Sequence, residues 1–287
     1  MKPALFDYVA PETVEAAVAA LAGDETARPL AGGQSLIPTM NFRLSAPGRL
    51  VDLRRIEALR GIAVADGTIR VGAMTRHREL ETHEGANRAN PLIGEVLDNV
   101  AHIAIRNRGT VGGSIAHADS AAELPCLLVA TGGTVSVQGP DGSREIGADD
   151  LFRFHMTTSL AQTEILTEVR IPALPPGTGY AFEEFARRRG DYALAGVCTL
   201  LTVEDGRCGE ARIAACGIGA RPVRLAAAED ALRGRAVDDA ARADAGEAAR
   251  EYMTAPADMQ AGVAYRTDLL AALVRRTVAT AARRAGG

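Results

Sequence analysis

Apolar positions along the chain alternate between helical and strand spacing, and small polar or glycine-rich breaks separate the runs. Val14, Ala17, Val18 and Leu21 recur at helical spacing, and Gly23 ends that run. Residues 28–31 lead as a short apolar segment into a glycine pair, after which 36–44 reads as a helix with Pro38 in its first turn. Residues 49–53 read as a strand, and 62–65 and 68–71 flank Asp66-Gly67, a strong hairpin signal. Thr75 is placed to cap a helix running through His83, and a second helix is predicted over 91–101. Ser120 and Glu123 have capping-box spacing. A helix begun at Ser120 would carry Pro125 past its first turn, so the helix is predicted to start at Pro125, with Glu123 in a loop. Gly132-Gly133 then serves as a helix stop. Residues 134–137 and 144–146 flank Pro140-Asp141-Gly142 as a hairpin, and 164–171 alternate as a strand.

Pro172, Pro175, Pro176, Gly177 and Gly179 cluster next, the best linker in the chain. The expected division is therefore a domain over 1–175 and a second over 176–287. The second begins with strands near 180–186, 196–203 and 212–216. Alanine-rich helices follow from Val223, and an amphipathic helix over 265–284 closes it. Strands and helices mixed in this way predict an α+β protein.

Bulk composition mainly excludes. The 287 residues are 47% hydrophobic and 24% charged with a net charge of -4, so the basic stripe of a nucleic-acid groove is missing. There is no tryptophan and aromatics are only 4%, which argues against a stacking platform for single strands. No apolar stretch approaches the roughly 18 residues of a membrane span, and no secretory pattern opens the chain, so a cytoplasmic protein is expected. Cys126, Cys198, Cys208 and Cys216 form no Cys-x-x-Cys, and the five histidines fit no His-x-x-x-His spacing. No metal site and no iron–sulfur ligand set is expected on this chain.

The informative chemistry lies in two glycine pairs with similar flanks, Ala31-Gly32-Gly33-Gln34-Ser35 and Thr110-Val111-Gly112-Gly113-Ser114. Without a Cβ, a backbone turns its amides inward and approaches a ligand closely. Successive inward N–H groups make a concave anion site, and two such turns would cradle the phosphates of a dinucleotide. Neither pair fits Gly-x-Gly-x-x-Gly or a phosphate loop ending in Gly-Lys-Ser/Thr, which disfavours a Rossmann domain and a P-loop. No catalytic side-chain set can be assembled from spacing. His117 and Asp119 read more simply as a polar loop, and Arg187-Arg188-Arg189 as a solvated edge. Tyr192 stands apart as a lone aromatic in polar company.

Residues 31–38 with Arg43-Leu44, and then residues 110–114, resemble the first and second flavin loops of the molybdenum hydroxylase flavoproteins, in the same order and spacing. The likeness is nearest to the medium subunit of aerobic carbon monoxide dehydrogenase and more distant to the FAD domain of xanthine dehydrogenase. It extends over nearly the whole chain, through Phe6-Asp7-Tyr8, residues 164–167, Gly190-Asp191-Tyr192-Ala193 and Tyr265-Arg266. The resemblance implies a vanillyl-alcohol-oxidase (PCMH)-type FAD-binding domain of two α+β subdomains. A C-terminal domain with a three-stranded sheet and helices would follow. It implies that Ala31, Gly32, Gly33, Gln34, Ser35 and Leu36, with Thr110, Val111, Gly112, Gly113 and Ser114, surround the pyrophosphate and ribityl. Ala101 would lie against the adenine side, Glu123 would hydrogen-bond the cofactor, Leu166 would pack on the flavin, and Tyr192 would screen one face of it. Gln34 stands where the family often has histidine, Ser114 where it often has asparagine, and Glu123 where it often has aspartate; each keeps hydrogen-bonding capacity.

The function so implied is that of an electron-exit subunit. A large partner would hold a molybdenum cofactor and a small partner two [2Fe-2S] clusters. This chain's noncovalent FAD would collect electrons for an external acceptor, in an (αβγ)2 assembly. A stand-alone flavin oxidoreductase of the same fold, a flavin-free scaffold and a UDP-sugar reductase of related fold are the competing readings. The substrate and the acceptor stay open at this level.

Overall fold

The structure is a computed structural model describing residues 2–286. Its first layer is a three-stranded parallel sheet in the order Asp7–Val9, Arg49–Asp52, Ala27–Leu30. Helix Val14–Ala22 covers it: its apolar stripe Val14, Ala17, Val18 and Leu21 is buried, Thr13 caps its start, and Gly23 caps its end. Burial of these side chains against Val51, Leu53 and Ile56 makes a small separate core.

The second layer is a five-stranded antiparallel sheet in the order Ile62–Ala65, Thr68–Gly72, Ile165–Pro172, Thr134–Gly139, Gly142–Gly147. Both predicted hairpins are in it. Helices Leu92–Asn99, Val111–His117 and Glu123–Thr131 contribute to the largest core, with Ile69, Val71, Val135 and Val169 from the sheet. These two layers form two α+β subdomains.

The C-terminal sheet has three long strands, Gly179–Phe185, Ala195–Glu204 and Arg207–Cys216, and a two-residue edge strand, Val223–Arg224. Alternation divides its faces. Ala195, Val197 and Ile213 pack with Leu270, Val274 and Val278 of the long helix Val263–Ala285. Cys198, Leu200, Ala214 and Cys216 point the other way, into the large core of the preceding sheet. The C-terminal sheet is therefore welded to the first part of the chain by apolar contact.

Some boundaries differ from those read in the sequence, each for a local reason. Thr75 is not a helix cap: its hydroxyl exchanges hydrogen bonds with Gly61, and the helix starts at His77 behind Arg76. The helix expected from Pro125 starts at Glu123, because a proline third in a helix lacks only an N–H that the first turn leaves unpaired anyway. Glu123 is thus at a helix start rather than in a loop. Val223 begins a short strand, and the following helix starts at Ala226.

Candidate functional site: a cavity between two glycine segments and the C-terminal sheet

A cavity of about 770 Å³ runs between the glycine segments, the strand ending at Leu166, and the loop carrying Gly190-Asp191-Tyr192. Of the residues singled out in the sequence, Ala31, Gly32, Gly33, Gln34, Ser35, Leu36, Ala101, Thr110, Gly112, Gly113, Ser114, Glu123, Leu166 and Tyr192 line it. Val111 does not: its side chain is in the core, at 1% exposure.

The two glycine segments, alike in sequence, are unlike in structure. The first is a true loop between Ala27–Leu30 and helix Leu36–Asn41. Gly33 takes φ +71°, which favours glycine. The Gln34 amide nitrogen turns back to donate to the Gly32 carbonyl at 2.9 Å. Among the described residues, no backbone carbonyl takes the amides of Gly32, Gly33, Gln34 or Ser35. Consecutive unpaired amides at a cavity wall form a nest for an anion.

The second segment is the first turn of helix Val111–His117, and its amides from Val111 to Ser114 are already committed. Val111 donates to the Thr75 carbonyl at 3.0 Å and Gly112 to Ala73 at 2.9 Å. Gly113 donates to the Thr110 side chain at 3.2 Å, and Ser114 to the Thr110 carbonyl at 3.0 Å. Its glycines serve close packing instead. A Cβ on Gly112 would fall 2.5 Å from the Ala73 Cβ, and one on Gly113 would fall 2.6 Å from the Thr110 hydroxyl. A Cβ on Gly32 would fall 2.5 Å from the Arg108 carbonyl oxygen, so the two glycine segments also press on each other.

Ala101, at φ +45°, is held in the wall by Arg106. That guanidinium pairs with Glu81 at 2.9 Å and donates to the Val100 and Ala101 carbonyls at 3.0 and 3.1 Å. Leu166 precedes a register shift in its strand, where the ladder with Thr134–Gly139 skips a residue. The Thr167 carbonyl then accepts from Ala73, tying this wall to the helix behind the second segment. The loop from the C-terminal sheet closes the cavity's far side. A Cβ on Gly190 would fall 2.7 Å from the His102 ring, and Arg189 pairs with Asp98 at 2.6 Å.

Electrostatics vary along the cavity. Tyr192 stands at the rim, and shielding from water with the Asp119 and Glu123 charges pushes its phenol up to about 12. Burial pushes the Glu123 carboxyl up to about 7, and Asp119 adds to the effect. His117 and Asp119, read from sequence as a plain polar loop, both face the cavity; burial lowers the His117 imidazole while Asp119 opposes that shift.

The sequence reading missed His77. It is buried against the second segment, with Nε2 2.9 Å from the Thr110 carbonyl oxygen, and burial lowers its pKa to about 4. Nothing in its sequence neighbourhood marks it, because its position depends on residues 33 apart coming together. Since the folded-state value lies below the ordinary 6.5, His77 contributes stability that is present above pH 6.5 and lost as pH falls toward 4. The difference corresponds to on the order of 3 kcal/mol. Urea midpoints from pH 7 to 4 are expected to fall more steeply for the native chain than for His77→Gln, which keeps a donor near Thr110. Parallel curves would remove this role.

No group of three or more His, Cys, Asp or Glu among the described residues is arranged to hold a metal ion, and no described helix is long and apolar enough to cross a membrane. A cavity of about 770 Å³ with an amide nest at one part and apolar walls at another defines a binding protein for a large anionic cofactor of the dinucleotide kind.

Comparison with known proteins narrows this to one family. Residues 4–174 match the model of the FAD binding domain in molybdopterin dehydrogenase, and residues 180–281 match the CO dehydrogenase flavoprotein C-terminal domain. The chain belongs to the FAD-binding subunits of the molybdenum hydroxylases. It is 42% identical to the 6-hydroxypseudooxynicotine dehydrogenase complex subunit alpha of Paenarthrobacter nicotinovorans, covering 99% of this chain and 97% of that one. It is 39% identical to the carbon monoxide dehydrogenase medium chain of Afipia carboxidovorans, covering 99% of each. Among solved structures, quinoline 2-oxidoreductase from Pseudomonas putida 86 has a chain that superposes with a TM-score of 0.96 at 39% identity, covering 99% of each.

Proposed function

We propose that this chain is the electron-exit subunit of a molybdenum-containing dehydrogenase. It would bind FAD noncovalently, receive electrons from two [2Fe-2S] clusters on a small partner subunit and deliver them to an external acceptor. A large partner subunit with the molybdenum cofactor would oxidise the substrate, in an (αβγ)2 assembly. The four buried, free cysteines fit a reducing cytoplasm. The observation that carries the cofactor assignment is the run of unpaired amides from Gly32 to Ser35 on the wall of the 770 Å³ cavity.

When bound, FAD supplies the redox chemistry, accepting electrons singly or in pairs. The chain's own residues bind and orient it. The amides of Gly32 to Ser35 hold the pyrophosphate, with Ala31 and Leu36 bounding that loop. The hydroxyls of Ser35 and Ser114 take polar groups of the nucleotide. Thr110, Val111, Gly112 and Gly113 act differently: they bring a helix and its glycine surface close to the loop, and Val111 anchors that helix in the core. Ala101 bounds the adenine side, Glu123 hydrogen-bonds the cofactor, and Leu166 and Tyr192 flank the flavin ring. We further propose that residues 1–175 supply the nucleotide loops and that 176–287 close the cavity through Tyr192.

The test is the visible spectrum of the purified protein with its co-purifying subunits, before and after acid precipitation. A flavin spectrum that passes into the supernatant as FAD is expected. A folded protein that stays colourless when given FAD and its partners would overturn the assignment.

A further inference from the structure

Tyr265 and Arg266, marked in the sequence, lie in the first turn of the long helix Val263–Ala285, and neither lines the cavity. Arg266 points inward all the same. It is 6% exposed, and its guanidinium reaches the C-terminal sheet where the ladder between Ala195–Glu204 and Arg207–Cys216 has ended. Nη1 donates to the Leu194 carbonyl at 2.9 Å and, at 3.5 Å, to the Gly217 carbonyl. The segments carrying these carbonyls touch: a Cβ on Gly217, at φ +73°, would fall 2.7 Å from the Ala193 carbonyl oxygen. Nη2 donates to the Asp258 carboxylate at 2.7 Å. That carboxylate is aimed by its own turn, since its other oxygen accepts from the Gln260 and Ala261 amides at 2.8 and 3.0 Å. Nε is buried without a partner, so Arg266 is placed by its fork and not by full pairing of its donors.

Both carbonyls lead back to the cavity. Leu194 is two residues from Tyr192 and closes the base of its loop, donating its amide to the Phe185 carbonyl at 2.8 Å. The Phe185 ring meets the Tyr265 ring edge-on, with centroids 6.4 Å apart. Gly217 donates to the Ser120 carbonyl at 2.8 Å, and Ser120 follows Asp119 of the cavity wall. One guanidinium therefore joins the loop that carries Tyr192 to the turn that carries Asp119. Arg189 with Asp98 also ties the loop, but both side chains are exposed, and a pair of that kind holds weakly.

We propose that Arg266, braced by Asp258, is a positioning residue that fixes the 190–194 loop and so sets Tyr192 against the flavin. An arginine suits the task because its planar fork serves two carbonyls through one nitrogen and a carboxylate through the other, which a lysine ammonium does not. Tyr192 needs such a brace: it is itself exposed, and it lies in a loop turned by Gly190 at φ +87°. The contact with the flavin rests on the FAD reading above; the fixing of the loop does not.

Two measurements on the full-length chain separate these points. Hydrogen exchange of the flavin-free protein reads the loop. In Arg266→Gln and Asp258→Asn, amides of residues 190–194 are expected to exchange about tenfold faster than in the native chain, while those of 270–278, in the core of the same domain, keep their native rates. Fluorescence of the FAD-loaded protein reads the flavin. A phenol packed on an isoalloxazine quenches its emission and a phenyl ring does not, so Tyr192→Phe is expected to be brighter than the native protein. Arg266→Gln should recover at least half of that brightening and Asp258→Asn a smaller part. Arg266→Gln combined with Tyr192→Phe should be no brighter than Tyr192→Phe alone, a non-additivity that general destabilisation does not produce. Asp258→Asn leaves both carbonyls paired and decides the matter if Arg266→Gln does not fold. Native loop exchange in the folded variants, or a rise spread through the whole domain, overturns the positioning role. Faster loop exchange with native emission, or a Tyr192→Phe protein no brighter than native, overturns the action on the flavin. A native chain that binds no FAD overturns the FAD reading, and hydrogen exchange alone then decides whether Arg266 fixes the loop.

Discussion

Gly32→Ala is expected to lose FAD while the chain stays folded. The added carbon would lie 2.5 Å from the Arg108 carbonyl oxygen, 2.8 Å from the Gly109 Cα and 3.1 Å from the Thr110 nitrogen. All three are backbone atoms, and they belong to the segment leading into helix Val111–His117, whose first amides are bonded to Ala73 and Thr75. That segment cannot rotate aside as a flexible side chain would, so the Gly32 loop must move. Overpacking of this kind costs about 1–3 kcal/mol. Here the cost falls on the loop whose free amides form the anion nest, so about 5- to 150-fold in FAD affinity is expected to go. Gly147→Ala is the matched control: it has no atom within 4 Å of a new Cβ. FAD content after purification and a fluorescence titration read the outcome. Native affinity in Gly32→Ala would show that the nest does not hold the cofactor.

Arg106→Ala is expected to cost the most in stability. Its side chain and that of Glu81 are 10% and 11% exposed, and it also satisfies the Val100 and Ala101 carbonyls. Removing it leaves Glu81 with Arg78 as its remaining cation, at 3.1 Å, and strands two carbonyls, at roughly 1–3 kcal/mol for each group left unsatisfied. Ala101 then loses what holds it at φ +45° in the cavity wall. Arg106→Lys should recover only part, because an ammonium lacks the fork that reaches a carboxylate and two carbonyls at once. Urea unfolding of the flavin-free chain measures this directly. A loss below about 1 kcal/mol, the level of an exposed pair, would refute the clamp.

Both expectations concern residues whose importance was only partly legible in the linear chain. Helix Val14–Ala22 was legible because its stripe, cap and stop are all local. The hairpins at Asp66-Gly67 and Asp141-Gly142 were legible because turn chemistry is local too. The helix start at Glu123 was not legible, because Pro125 argues for a later start, yet as third residue it lies in the first turn, where its missing N–H costs nothing. Arg106 carried no signal. Its partners are Glu81 and two nearby carbonyls, and only the bend at Ala101 brings them together.

The glycine pairs show the division best. From the sequence alone follow the α+β class, the hairpins, the two glycine segments and the lack of any local metal-ligand spacing, since these depend on composition or on neighbours within a few residues. Resemblance added the flavin loops as a pair. Only the folded chain distinguished them: one segment keeps its amides unpaired at a cavity, while the other commits them to Ala73, Thr75 and Thr110. Tertiary structure likewise joined Arg106 to the Glu81 carboxyl, residues 25 apart, and to the Val100 and Ala101 carbonyls. The physical reason is common to both cases. Whether a backbone amide or a carboxyl finds a partner depends on what distant segments pack against it, and that is a property of the closed fold.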